Sequence, residues 1–473
     1  MREVDKMSTH EKENKGLAIS VKSFLTAIAV IFALMVACYI LTLIVPGGAY
    51  ARIPDENGNL IIDTSAGFSH VDGGIPFWKW LLSPILVLGA SGSGTLIAVI
   101  IFLLVIGGVF NSLECCGLMQ YMLTKTAHRF SGVRYKLMAV IVLLFMAMGA
   151  LIGSFEECVP LVPIVVALSL SLGWDALTGV GMSLLAAGCG FASGVCNPFT
   201  VGVAQQLAGL PMFSGIWLRL LSFALIYLLL LAFLRRYSAR IQKPLESVRT
   251  QFSPDPKMDR GLGCFVVILS AGIALVLCSG FIDVLQDYTT VIVAITFLAG
   301  GIAASLLSGM TGKELGATFL RGISSILPAV LMILMASSIK YTLEEAHILD
   351  TILHKAVALA QTMPKWTVIL FIYAIVLVMN FFIPSGSAKA FMLIPLIVPM
   401  ARIFGISTQL CIVAFAFGDG FSNAFYPTNP ALLISLGLAD VSYSDWFRWS
   451  GKFQILNLIL TSLILLLGLA AGY

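Results

Sequence analysis

The sequence predicts an all-α polytopic membrane protein whose two halves repeat one another. Hydrophobic residues make up 59% of the 473 residues and charged residues only 11%, and the mean hydropathy is +0.98. A soluble chain of this length would need far more charge to cover its surface. Several apolar runs are each about long enough to cross roughly 30 Å of hydrocarbon. These runs are 23–45, 93–113, 137–153, 214–234, 262–282, 289–309, 323–339, 366–383 and 453–472.

The first element is a polar head followed by an apolar run. Residues 1–22 carry five basic side chains, and residues 23–45 form an apolar stretch that is too long for the core of a signal peptide. We predict a cytoplasmic N-terminal tail over 1–22 and a retained membrane helix after it. Basic residues beside a membrane helix orient that helix, so this head does not indicate nucleic-acid binding.

A basic linker, 235–261, divides the rest into a first repeat, 23–234, and a second repeat, 262–473. Basic loops favour the cytoplasmic side, and the acidic loop 47–75 suits the outside. The basic segment 125–136 is also predicted to lie on the cytoplasmic side. If 154–173 is re-entrant, three crossings separate this segment from the linker, and three crossings cannot return a chain to the same side. The number of crossings therefore stays open at this stage.

The two repeats match when the chain is shifted by 232 positions. The shift brings together positions at which membrane helices are interrupted. The matched positions are Pro163 and Pro395, Gly173 and Gly405, Gly188 and Gly420, Asn197 and Asn429, and Pro198 and Pro430. Paired interruptions in two halves of a chain indicate the binding site of a transporter.

Each repeat contains a short segment and a broken helix. Segments 154–173 and 386–405 each hold two prolines and are too short for two crossings, so we predict re-entrant hairpins. Helices over about 175–208 and about 407–437 break at Asn-Pro. Proline removes an amide donor, which leaves carbonyls free at one half-helix end and amides at the other. The freed amides favour a carboxylate and the carbonyls a cation; a kink used only for packing is the alternative.

Four charged residues fall within these interruptions. Glu156 and Glu157 lie at the first hairpin, Lys389 at the second and Asp419 in the second break. Charges at such depth are usually functional or paired. The alternative is a structural bridge between a glutamate and Lys389, which the register places opposite Glu157. Three acids against one base suit a solute with a positive amino group, or a coupling proton or sodium ion, with Glu156 the preferred group.

Uncharged hydrogen-bonding side chains complete the predicted substrate site, since hydroxyls and amides can hold a carboxylate without a full countercharge. They are Ser154, Ser193, Asn197, Thr200, Ser385, Ser387, Asn423, Thr428 and Asn429. Arg219 and Arg448 match across the halves, and we expect them at helix ends rather than on substrate. Residues 343–361 place acids and a lysine opposite an apolar stripe, which fits an interfacial helix or an ordinary loop helix. No cysteine or histidine spacing predicts a metal site.

The strings GSFEE, NPFTVGVAQQLAG, FSGIWLR and GDGFSNAFYPTNP resemble the YfcC family of bacterial inner-membrane carriers. Relatives of that family include arginine/ornithine antiporter-like and anaerobic C4-dicarboxylate carrier-like proteins. The resemblance implies inverted repeats, two hairpins, two broken helices and elevator-type transport in a homodimer. It implies site residues at Ser154, Glu156, Glu157, Asn197, Ser385, Ser387, Asp419, Asn423, Thr428 and Asn429. The hairpin tips depart from the Ser-Asn-Thr signature of the sodium-coupled dicarboxylate relatives.

We predict a secondary active transporter of the bacterial inner membrane, not an enzyme. Its predicted substrate is an amino acid, with arginine/ornithine exchange as the example, because of the acidic surplus. The alternative is a C4-dicarboxylate or other organic-acid carrier, in which Lys389 and the hydroxyls would hold the anion. A channel is a further alternative. An intramembrane aspartyl protease is disfavoured because Ala416 stands where its Gly-Asp motif needs glycine.

Overall fold

The computed structural model describes most of the chain. Of the predicted features, Ser154, residues 1–20 of the tail and residues 243–253 of the linker lie outside the described residues. The described ranges are 21–54, 60–62, 67–90, 93–122, 125, 133–153, 155–211, 213–242, 254–279, 289–360 and 363–473.

The described residues are mostly helical. The first half contains α1 Val21–Ile44, α2 Phe77–Leu81, α3 Ser83–Leu86, α4 Ser93–Cys115, α5 Arg134–Ile152, α6 Val162–Ser171, α7 Ala176–Val180, α8 Ala186–Ser193, α9 Val203–Leu207 and α10 Ile216–Ile241. The second half contains α11 Pro256–Ser279, α12 Thr289–Leu307, α13 Gly312–Glu345, α14 Leu349–Ala360, α15 Lys365–Phe382, α16 Gly386–Ile403, α17 Thr408–Asn423, α18 Pro430–Leu438 and α19 Tyr443–Ala470.

Eight helical segments within the described residues are long and apolar enough to cross a membrane. They are Leu96–Cys115, Arg134–Ile152, Ala176–Ser193, Ile216–Ile241, Gly312–Glu345, Lys365–Phe382, Gly386–Ile403 and Tyr443–Ala470. Two shorter apolar helices, Ile31–Ile44 and Val291–Leu307, accompany them. The prediction of a helical polytopic membrane protein is therefore confirmed.

Helix α10 shows how these helices suit lipid. Ile226, Leu230 and Leu234 recur every four residues and are fully buried, so they form the stripe that faces the protein. Leu228 is apolar as well, yet 59% of it is exposed. A helix that is apolar on its exposed face as well as its buried one would leave unfavourable apolar surface in contact with water, whereas hydrocarbon accommodates it.

Two small β-ribbons depart from the all-α prediction. Strand β1 (Gly48–Tyr50) pairs antiparallel with β4 (Phe68–His70), and β2 (Arg52–Pro54) pairs antiparallel with β3 (Leu60–Ile62). They lie in the loop that the sequence analysis placed outside the membrane. We call the described residues between 46 and 81 the strap, because they bind the end of α13 and the start of α14.

Backbone and side-chain contacts hold the strap in place. The Gly48 amide donates to the His347 carbonyl at 2.8 Å, and the Tyr50 amide donates to Asp350 Oδ2 at 3.0 Å. Arg52 Nη2 lies 2.9 Å from both carboxylate oxygens of Asp350. Burial and the Asp350 carboxylate raise the pKa of the Tyr50 phenol, so this residue stays neutral beside His354.

The segments predicted as re-entrant hairpins take a different form. Residues 154–173 contain a 3₁₀ turn, Glu156–Leu161, followed by α6, and residues 386–405 contain the single helix α16. Neither segment turns back on itself, so the prediction of a hairpin within each is wrong. Proline removes one hydrogen bond without reversing the chain, and α16 continues through Pro395 and Pro399.

Both helix breaks fall at the Asn-Pro pairs. In the first half, α7, a π-helical turn over Gly181–Leu185 and α8 run to Ser193, and Gly194 then takes a left-handed conformation with φ +51°. The chain resumes helix at Pro198. In the second half, α17 ends at Asn423 and α18 begins at Pro430.

Helices α8 and α17 cross at a pair of glycines. A Cβ atom on Gly420 would lie 2.2 Å from Ala192 Cα, and one on Gly188 would lie 3.1 Å from Ala424 Cβ. These pairs are reciprocal, since each glycine and each alanine has its counterpart 232 positions along. Contacts of this kind form across two-fold axes, where one surface meets its own copy.

Candidate functional site

A cavity of about 370 Å³ lies where the two halves meet, and its volume is typical of a site for a small molecule. Its walls come from α4, α13, the 3₁₀ turn after α5, the start of α16 and the second break. Three of the predicted site residues that the structure describes line it: Glu156 from the first half, and Ser385 and Thr428 from the second. The hydroxyl of Thr428 is buried and has no hydrogen-bond partner among the described residues, so it can serve a ligand.

Helix α13 contributes charged wall residues that the sequence analysis did not assign to the site. Lys340 and Glu344 both line the cavity, and their charged atoms lie 3.4 Å apart one turn from each other. The two side chains are 35% and 46% exposed. Such a pair stabilises a helix by only about 0.3–0.5 kcal/mol, so a ligand can separate it at little cost.

The stretch 343–361 explains why these residues were missed. The sequence analysis read it as one amphipathic helix, but α13 ends at Glu345 and α14 begins at Leu349. Glu344 therefore belongs to the end of a long apolar helix and not to an interfacial one. The sequence does show a lysine and a glutamate four residues apart at the end of the apolar run, and this pair could have indicated a charged wall.

Lys389 forms a buried ion pair, and its partner is not the predicted one. Its Nζ lies 2.6 Å from Asp419 Oδ1, and both side chains are fully buried. The ammonium also donates to the Ile383 carbonyl at 2.9 Å and to Asn380 Oδ1. The alternative interpretation, a bridge between a glutamate and Lys389, is therefore wrong. Lys389 is engaged by two hydrogen bonds and one ion pair within the protein, and not by the cavity.

Asn380 organises the polar groups around this ion pair. Its Nδ2 lies 2.9 Å from the Asp419 carbonyl, 2.6 Å from Ser422 Oγ and 2.9 Å from Asn423 Oδ1. Asn429 Nδ2 donates to the same Asn423 oxygen at 3.2 Å. The sequence analysis missed Asn380, although a single asparagine in the apolar run 366–383 was visible. Predicted residues Lys389, Asp419, Asn423 and Asn429 thus meet in one buried network.

The two break asparagines act as helix caps. Asn197 Oδ1 accepts from the backbone amides two and three residues ahead, at 3.0 and 3.3 Å. Asn429 Oδ1 accepts from the equivalent amides at 2.9 and 3.4 Å. We predicted that these amides bind a carboxylate of the substrate. They instead donate to the asparagine side chains that cap the helices, so this prediction is wrong.

The two breaks approach each other at Gly386, in the first turn of α16. A Cβ atom there would lie 2.5 Å from the Thr200 methyl carbon and 2.7 Å from Asp419 Oδ2. Thr200 Oγ1 and both Asp419 carboxylate oxygens are buried and accept or donate no hydrogen bond of good geometry among the described residues. Asp419 is held by its charge contact with Lys389, so the halves meet around a neutral ion pair.

Apart from Ser154, which lies outside the described residues, the other predicted residues are not part of the cavity lining. Glu157 lines a separate small crevice against α11 and α12, so the two adjacent glutamates diverge. Ser193 donates to the Gly190 carbonyl of its own helix at 2.7 Å. Ser387 lies beside Ser385, with the hydroxyl oxygens 3.5 Å apart.

The two matched arginines differ in environment. Arg219 is fully buried and donates to the carbonyls of Phe213 and Ser214 at 2.9 and 3.0 Å, whereas Arg448 is exposed. Arg219 thus holds the loop before its own helix. Across the described ranges, no group of three or more histidine, cysteine, aspartate or glutamate side chains could hold a metal ion.

Comparisons with known proteins cover nearly the whole chain. Residues 24–470 match the model of the family described as C4-dicarboxylate anaerobic carrier. The chain is 29% identical over 408 residues to "Putative basic amino acid antiporter YfcC" of Escherichia coli (strain K12), covering 81% of this chain and 80% of that protein.

Two solved structures are similar over almost their full length. One is the YdaH transporter of Alcanivorax borkumensis, with 17% identity, a TM-score of 0.45, and coverage of 95% of this chain and 99% of that one. The other is MtrF of Neisseria gonorrhoeae, described as illuminating a class of antimetabolite efflux pumps. It has 18% identity, a TM-score of 0.46, and coverage of 94% and 95%.

Proposed function

Because the chain belongs to the C4-dicarboxylate anaerobic carrier family, we propose that it is a secondary active transporter that exchanges basic amino acids. The resemblance to the YfcC carriers is confirmed by the 29% identical relative. Family and relative are transporters and not enzymes, and the chain is a multi-pass protein of the bacterial inner membrane. The substrate and the mechanism are our proposal.

The charge of the cavity is the observation that carries the choice of substrate. Glu156 and Glu344 face the cavity, and Lys340 is the one cationic side chain among its described lining residues. Two acids and one base complement a basic amino acid, which carries two positive groups and one carboxylate. Opposite charges placed around a solute set specificity, because a solute of the wrong sign meets like charges. The printed name of the Escherichia coli relative points to the same class of solute.

The alternative is a C4-dicarboxylate carrier, which the description of the family favours. Such a carrier would need cationic donors for two carboxylates. The sequence analysis assigned that role to Lys389, but this ammonium lies outside the cavity lining and is already engaged by two hydrogen bonds and the ion pair with Asp419. A dianion in the cavity would meet Lys340 alone against two glutamates. These contacts support the amino acid over the dicarboxylate.

We propose inverted repeats and an elevator mechanism for the movement of the solute. The helical stretches between α5 and α9 can be compared with those between α15 and α18 by adding 232 to each residue number. Contiguous helical stretches then begin and end within two residues of their counterparts. The reciprocal glycine contacts between α8 and α17 support a two-fold relation. In this proposal the two breaks move together against the wall formed by α4, α13 and the strap. A homodimer, and coupling to a proton or sodium ion through Glu156, stay predictions.

Uptake by purified protein in proteoliposomes tests the substrate. Vesicles preloaded with ornithine should take up labelled arginine, and external lysine should compete. Leucine and succinate should neither enter nor compete. Uptake of succinate or fumarate without uptake of arginine would contradict the proposal and favour the dicarboxylate carrier. Imposed proton and sodium gradients, applied one at a time, then test the coupling ion.

A further inference from the structure

A second cavity, of about 480 Å³, lies between the strap and the start of α16, and we call it the vestibule. One wall is formed by the strap and the α13–α14 junction, and the other by α16. Its lining residues are Gly48, Arg52, Leu343, Glu344, His347, Leu349, Asp350, Ala388, Phe391 and Met392. The vestibule thus adjoins the loop that the sequence analysis placed outside the membrane.

The vestibule and the substrate cavity share part of their walls. Glu344 and Ala388 line both volumes, one from α13 and the other from α16. A solute that moves between the two volumes therefore passes between a carboxylate and a methyl group. Glu344 is the charged member of this shared boundary.

The other charges of the vestibule are more firmly engaged than Glu344. Arg52 binds both oxygens of Asp350, and the side chain of Asp350 is only 6% exposed. Glu344 by contrast is 46% exposed, and its ion-pair partner Lys340 lies one turn back, on the side of the substrate cavity. A solute cation that enters from the vestibule can therefore reach the Glu344 carboxylate.

We propose that Glu344 is a specificity-determining residue that binds the side-chain cation of the solute, a guanidinium or an ammonium, at this boundary. The proposal rests on the proposed class of substrate. When the solute cation binds Glu344, it replaces Lys340 as the partner of the carboxylate. Lys340 then becomes available for the carboxylate of the solute, so one exposed ion pair gives way to two pairs with the ligand.

Glu345 provides a matched control. It is the next residue of the same helix, and it forms an ion pair with Lys79 of the strap. Glu345 lines neither cavity. Replacing either glutamate with glutamine removes one negative charge at nearly the same place in the sequence, but only Glu344→Gln removes it from the shared boundary.

The first experiment measures the charge at the boundary without any substrate. Ala388→Cys is labelled with a cationic and with an anionic methanethiosulfonate reagent, and labelling of the parent protein is subtracted. We expect the cationic reagent to react faster, and Glu344→Gln to reduce the cationic-to-anionic rate ratio by about tenfold. Glu345→Gln should leave the ratio unchanged. An equal ratio in the Ala388→Cys protein with and without Glu344→Gln would overturn the proposal.

The second experiment measures exchange in proteoliposomes. Glu344→Gln should raise the KM for arginine at least tenfold, Glu344→Asp should recover part of this loss, and Glu345→Gln should retain the parent KM. An unchanged arginine KM in Glu344→Gln would refute the role of Glu344 while leaving basic amino acid exchange intact. If the parent protein exchanges no basic amino acid, the proposed function fails, and the reagent-rate experiment still decides whether Glu344 sets the charge at the boundary.

Discussion

The buried pair of Lys389 and Asp419 allows a sharp test of whether Lys389 supports structure or binds substrate. Lys389→Met keeps much of the side-chain volume but removes both the hydrogen bonds and the positive charge of the ammonium. Asp419, fully buried, then has no counter-ion. Removing one partner of a buried pair costs about 3–5 kcal/mol. Since each 1.4 kcal/mol is tenfold, the ratio of folded to unfolded protein should fall by about 100-fold to 4,000-fold.

A second variant separates the two roles. Lys389→Met combined with Asp419→Asn removes both charges, and the neutral pair should recover most of the lost stability. The assay is thermal unfolding in detergent, followed by tryptophan fluorescence and size-exclusion chromatography. Arginine exchange by the double variant should return together with its stability. If Lys389→Met unfolds at the parent temperature yet loses all exchange, the lysine binds substrate and our assignment is refuted.

Three further predictions concern other parts of the molecule. Gly420→Ala places a Cβ atom 2.2 Å from Ala192 Cα and should cost about 1–3 kcal/mol, lowering the thermal midpoint, whereas Gly316→Ala, with no atom within 4 Å, should not lower it. Asn429→Ala removes the cap of α18 and should cost about 1 kcal/mol in the same assay; an unchanged midpoint would contradict the capping role. Glu156→Gln should raise the KM for arginine at least tenfold without lowering the midpoint, and an unchanged KM would exclude this carboxylate from the site.

The helix breaks could be predicted because proline acts locally. Proline lacks an amide proton and clashes with the preceding turn wherever the helix lies, so Pro198 and Pro430 mark interruptions in the sequence itself. The re-entrant hairpins were predicted wrongly for the same reason, because a local effect of proline does not determine whether the chain reverses. A proline in the first turn of α6, or within α16, does not end the helix.

The partners of the charged residues could not be predicted, because they depend on contacts between distant segments. Register placed Lys389 opposite Glu157, but a register of repeats relates equivalent positions and does not say which of them touch. In the structure Lys389 reaches Asp419 on the adjoining helix of its own half. The wall supplied by Lys340 and Glu344 was missed for a related reason, since hydropathy marks α13 as apolar without showing which neighbour its polar end meets.

The strap packs against both sides of the vestibule, because β3 also lies against α16. The Gly48 amide and Arg52 bind the α13–α14 junction, whereas Phe391 and Met392 belong to α16, on the other side. An antibody fragment or cyclic peptide placed between these two sides would lie against Glu344, the carboxylate that faces both volumes. Inhibitors directed at the vestibule should therefore compete with the amino acid, raising its apparent KM and leaving the maximal rate of exchange unaltered.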